Sequence, residues 1–135
     1  MLKPVTVTVT TAAAGEDTVS LSYDGLLRVT GDEVRVSYTE KEDGGRTSTL
    51  IVLSPAAMTV TRRGAVDFTV TYAVGAPCTT LYRLGGMAFD ARIVTEVLTR
   101  LPAPLPAVDC TYCLTLGGEE RRLTLSLRLA ERSPA

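Results

Sequence analysis

Apolar and polar residues alternate with a period of two along nearly all of this 135-residue chain. Successive side chains of a β-strand point to opposite faces, so the pattern dictates half-buried strands and leaves no room for a regular helix. Val5, Val7 and Val9 alternate with Thr6, Thr8 and Thr10, and Val19, Leu21, Tyr23, Gly25, Leu27 and Val29 hold one face of a long second run. Further runs carry Val34, Val36 and Tyr38, then Leu50–Leu53, then Met58, Val60 and Arg62. After these come Val66–Val74, Cys78–Leu84, Met87–Val97, Val108–Leu116 and Leu123–Leu129. Glycine-rich breaks separate them: Gly31–Asp32, "EKEDGG" (Glu40–Gly45), "GAP" (Gly75–Pro77), Gly85–Gly86 and Gly117–Gly118. Gly25 sits inside a strand, where glycine suits a bend or a bulge. Pro55 stops one strand, and "LPAPLP" (Leu101–Pro106) reads as an extended connector, because proline cannot donate to a ladder.

The count is about ten strands joined by short turns, which makes neighbours in sequence antiparallel neighbours in space. An open meander of that length leaves two exposed edges, and closure removes them. The expected fold is all-β: an antiparallel up-and-down meander closed into an eight- to ten-stranded barrel. Residues 1–131 form one domain, with 132–135 ("SPA" after Arg132) as a frayed tail. A barrel of this size either fills with side chains or holds one small ligand.

The chain has no histidine, which removes the Ser–His–Asp and Cys–His arrangements and the ordinary imidazole base. No glycine-rich phosphate loop lies between a strand and a helix, and no cofactor is expected. The formal net charge of −1 disfavours a partner that is nucleic acid or an anionic membrane. No apolar run approaches the roughly 20 residues of a membrane helix. The opening Met1–Leu2–Lys3–Pro4 runs straight into the alternation, so no signal peptide is expected. Cys110 and Cys113 are three residues apart in a strand, about 10 Å, and point to opposite faces. They can neither bridge nor share a metal ion, and the expectation is free thiols in a reducing, cytoplasmic setting of bacterial style.

Parity picks out the candidate site. Tyr23, Tyr38, Tyr72, Tyr82 and Tyr112 fall on the inward phase, and Arg62 is the charged residue that shares the phase of its apolar neighbours Met58 and Val60. Arg63 points the other way, to solvent. Asp67, Asp90, Glu96 and Asp109 fall on the outward phase, Glu40 belongs to a hairpin tip, and no inward carboxylate is evident. A buried guanidinium needs an acceptor. Tyrosine oxygens, turn carbonyls or an anionic ligand would supply it. A structural role for Arg62 and the tyrosines, rings inside and polar heads at the rim, is the expected outcome. The alternative is a site for a polar or anionic small molecule. Outward Leu26, Leu81, Val94 and Leu98 suggest contact with a second copy, as a two-fold homodimer.

The order of landmarks resembles the YwiB-like family of uncharacterised bacterial proteins. It rests on "KPVTVTVTT", "DTVSLSYDGLL", "VSYTEKEDGGRTSTL", "MTVTRRGAV" and "TLYRLGGMAFDARIVTE", and covers nearly the whole chain. The family's Tyr–x–Thr–Pro–aromatic–Gly turn is replaced here by "YRLGG" (Tyr82–Gly86), and the chain has no tryptophan of the kind that often closes a lipocalin barrel. The resemblance implies a calycin-like (lipocalin-type) barrel, a class whose members commonly bind small hydrophobic molecules, and carries over no established activity. Two functions follow as expectations, neither of them enzymatic. One is a barrel that binds a small hydrophobic or anionic ligand, with a cavity of at least about 300 Å³ open at one end. The other is a structural or protein-interaction module with a filled interior.

Overall fold

In a computed structural model describing residues 2–42, 45–101 and 105–132, the chain forms ten strands. They are β1 (Leu2–Ala13), β2 (Val19–Thr30), β3 (Glu33–Glu42), β4 (Gly45–Leu53), β5 (Met58–Gly64), β6 (Val66–Tyr72), β7 (Cys78–Leu84), β8 (Met87–Leu101), β9 (Ala107–Leu116) and β10 (Glu119–Glu131). Each pairs antiparallel with its sequence neighbours, and β1 pairs with β10 from Val5↔Glu131 to Ala13↔Leu123, which closes the barrel. The expected closed meander is what the chain adopts. No helix of the described residues is long and apolar enough to cross a membrane. The middle of the "LPAPLP" connector, the tip of "EKEDGG" and the tail from Ser133 lie outside the described residues. Arg132 itself is tied down, its N–H donating to the Pro4 carbonyl at 3.2 Å.

An up-and-down barrel gathers alternate connections at each end. The end that holds the β2–β3, β4–β5, β6–β7 and β8–β9 connections is packed shut: Val5, Val34, Leu53, Met58 and Val108 are fully buried there. At the opposite end the inward residues are larger but fewer of them are buried. Val19 and Leu21 are 51% and 53% exposed although they share the inward phase of Tyr23.

The ladder is incomplete in two places. Pairing of β2 with β3 runs from Thr30↔Glu33 only as far as Gly25↔Tyr38, so Val19–Asp24 pair with β1 alone and Thr39–Glu42 with β4 alone. Pairing of β6 with β7 is limited to Val66↔Leu84 and Asp67↔Arg83. Gly25 sits at the first of these seams and introduces no bulge. A Cβ there would stand 2.7 Å from both the Ser37 carbonyl oxygen and Val7 Cγ2, so its role is close approach of three strands.

One outward assignment is overturned. The β8–β9 register shifts between Thr95 and Val97, making Glu96 the extra residue of a bulge. An inserted residue inverts the parity of all that follows. Val97 therefore turns outward, 50% exposed, and Leu98 packs against the core. Leu26, Leu81 and Val94 do face outward.

Candidate functional site

The open end contains a cavity of about 310 Å³. Its walls come from every strand of the barrel, and all six candidates, Arg62, Tyr23, Tyr38, Tyr72, Tyr82 and Tyr112, line it. Aliphatic side chains such as Val9, Leu21, Val70, Ile93 and Leu125 make up most of the rest.

The acceptor for Arg62 is Glu40. The expectation that no carboxylate points inward fails, because β3 continues to Glu42 and keeps its parity, so Glu40 follows Val34, Val36 and Tyr38 onto the inner face. Its carboxylate accepts from Arg62 Nη2, and the two side chains are only 11% and 20% exposed. The partners stand on β3 and β5 with β4 between them, where the inward positions are Thr47 and Thr49. Threonines are small enough to let the two long side chains meet above β4. Phe68, opposite Arg62 across the β5–β6 ladder, places its ring 5.7 Å from the guanidinium carbon. A cation over an aromatic face gains a further electrostatic contribution. Arg63 is on the outside as expected, bonded to Asp67 at 3.0 Å.

Stacked rings span the two seams. Tyr23 and Tyr38 stack across the β2–β3 gap, centroids 4.7 Å apart and 10° from parallel. Phe68 and Tyr82 stack across the β6–β7 gap at 4.7 Å and 16°. Side chains thus close the wall where backbone hydrogen bonds do not. Deeper in, Tyr72 and Tyr112 meet edge-on, with ring centroids 4.9 Å apart.

All five tyrosines hold their protons above the ordinary range, burial being the largest cause in each. For Tyr23, a hydrogen bond to Glu40 and that carboxylate's charge add to the rise. Tyr38 is pushed up to about 12 by burial and by the Glu40 charge, with Arg62 opposing. A raised folded value means the folded protein keeps a proton the unfolded chain releases. That stabilisation is complete below pH about 10, the unfolded tyrosine value, and is lost as pH rises through the folded values. Tyrosinate absorbance is therefore expected late, near pH 12, together with collapse of the β signal in circular dichroism. Ionisation of all the tyrosines near pH 10 in a still-folded barrel would show that their hydroxyls are solvated.

Phe68 and Glu40 are the site residues that parity reasoning overlooked. The signal for Glu40 was the unbroken even-numbered phase Val34–Val36–Tyr38; the signal for Phe68 was its place directly opposite Arg62 across the tight β5–β6 hairpin. Cys110 lies inside and Cys113 outside, where its thiol donates to Glu96 Oε1 at 3.1 Å, on opposite faces as expected.

A family model described as a domain of unknown function, DUF1934, matches residues 5–127. The chain belongs to that family. Among solved structures, this DUF1934 chain is similar to the ywiB protein from Bacillus subtilis, with a TM-score of 0.83 at 19% identity. The match covers 98% of this chain and 94% of that one, and shows a shared barrel fold. No curated protein matches the chain. The YwiB-like resemblance is thus upheld by family and fold together.

Proposed function

We propose that this barrel binds a small, predominantly apolar molecule in its open end, without catalysing a reaction. The cavity of about 310 Å³ carries this reading. It falls within the roughly 300–1,000 Å³ of small-molecule sites, and apolar walls with a few convergent polar groups are the usual composition of such sites. The charged residues lining it, Arg62 and Glu40, neutralise each other, which argues against a charged ligand and against a free acid or base. The tyrosines hold their protons, so they too offer hydrogen bonds in preference to proton transfer. The free thiols of Cys78, Cys110 and Cys113 support a reducing, cytoplasmic setting.

The test is binding of N-phenyl-1-naphthylamine, an uncharged dye that fluoresces in apolar surroundings. We expect saturable enhancement with the wild type. Ala91→Phe, which adds a ring at a position lining the cavity, should abolish it while the protein still melts cooperatively. Absence of dye binding to the wild type, or equal binding to a folded Ala91→Phe, would overturn the reading.

A further inference from the structure

Aromatic side chains are distributed unevenly over the barrel interior. The chain has two phenylalanines and five tyrosines, and six of these seven residues line the cavity. The seventh, Phe89, shares the inward phase of Ala91 and Ile93 and stands opposite Tyr82 across the β7–β8 ladder. The packed end is filled by aliphatic residues such as Val34, Leu53 and Met58 instead. Alternation asks only that inward residues be apolar, so gathering the rings at the hollow end needs a reason of its own. Closure of the two seams supplies part of it, for Tyr23, Tyr38, Phe68 and Tyr82. It does not account for Tyr112, which is paired on both sides, with Thr95 and with Leu123, or for Phe89, which lies within a continuous β7–β8 ladder. Aliphatic side chains would complete the wall at both positions.

The arrangement of the rings says what they suit. Inward side chains on neighbouring strands that stack on each other lie side by side along the wall, so their edges point into the cavity. An aromatic edge is the positive part of the ring's quadrupole and a face the negative part. A flat aromatic molecule in the cavity offers its faces to those edges. A saturated ring or an alkyl chain of the same size gains burial alone. The polar groups divide in a similar way. Arg62 and Glu40 satisfy each other. The Tyr82 hydroxyl keeps its proton through burial, with Arg62 and Glu40 acting on it in opposite senses, and no hydrogen bond to another described residue engages it.

We propose that the ligand is a flat, uncharged aromatic molecule with one hydrogen-bonding group, its rings held among the aromatic side chains and that group by the Tyr82 hydroxyl. This rests on the cavity reading above. Bicyclic phenols and aryl ketones have the required parts: a π system to meet the ring edges and an oxygen to accept from Tyr82. Its stack on Phe68 fixes the Tyr82 ring before any ligand arrives, so little side-chain freedom is lost on binding.

The experiment displaces N-phenyl-1-naphthylamine with 2-naphthol, with naphthalene or with decahydro-2-naphthol, which has the carbon skeleton and hydroxyl of 2-naphthol but no π system. For the wild type we expect 2-naphthol to act at concentrations about tenfold lower than its saturated counterpart. Tyr82→Phe keeps the ring and its stack on Phe68 and removes the hydroxyl. It should weaken 2-naphthol about fivefold to tenfold, the loss of one hydrogen bond, and leave naphthalene unchanged. Saturable dye binding with decahydro-2-naphthol equal or superior to 2-naphthol, or with Tyr82→Phe affecting 2-naphthol no more than naphthalene, would overturn this proposal and leave the cavity reading standing. Failure of the dye to bind the wild type would overturn both.

Discussion

Arg62→Met is expected to lower the stability of the barrel by about 2–4 kcal/mol, read as a fall in the urea midpoint with an unchanged m-value. The substitution keeps the aliphatic stem and removes the guanidinium. What it leaves behind is Glu40, 9% exposed, with no cation to balance it. Removing one partner of a fully buried ion pair costs about 3–5 kcal/mol, and the partial exposure of Arg62 reduces that figure. The double variant Arg62→Met/Glu40→Leu removes both charges and should recover most of the loss, because a desolvated pair contributes little beyond a well-packed apolar substitute. The two sites should therefore show strong coupling in a double-mutant cycle. If Arg62→Met melts within about 0.5 kcal/mol of the wild type, the pair is solvated and the account of the cavity's polar end is wrong.

Gly64→Ala is expected to cost as much or more, about 3 kcal/mol or above, for a reason unrelated to charge. Gly64 ends β5 with φ of +142°, a conformation that side-chain-bearing residues rarely adopt. An added Cβ would stand 2.0 Å from the Arg46 carbonyl oxygen and 2.9 Å from Thr47 Cα. Both are backbone atoms of β4, and the same carbonyl accepts from the Ala65 N–H at 3.3 Å. Relief would require β5 to withdraw from β4 at the Thr47↔Gly64 pair, close to Arg62. The comparison is Gly85→Ala, where φ is +55° but no atom lies within 4 Å of the added Cβ, and where about 1 kcal/mol is expected. Equal melting temperatures for the two variants would refute the steric argument.

The ywiB protein's barrel, at 19% identity, shows how little of a sequence such a fold requires. Alternation is a local property, and it carries across every strand that keeps its register. From it follow the strand class, the closed meander, and the inward placement of Arg62 and the tyrosines. The departures begin where a residue's surroundings depend on another strand. Leu98 changes face because Glu96 is absorbed as a bulge opposite β9, which no residue near Leu98 announces. Val19 and Leu21 keep the inward phase but remain half exposed, because the neighbouring ladder stops at Gly25.

Glu40 lies between these cases. Its parity was readable, but its identity as the partner of Arg62 was not, since the two meet across β4 and 22 residues apart. The same holds for the cavity. Periodicity alone names the side chains that enter the barrel. That they fill one end and leave the other hollow emerges only when the ten strands are assembled. Interior volume depends on how many strands share the circumference and where two pairs of them separate, and neither quantity is encoded in the period of any single strand.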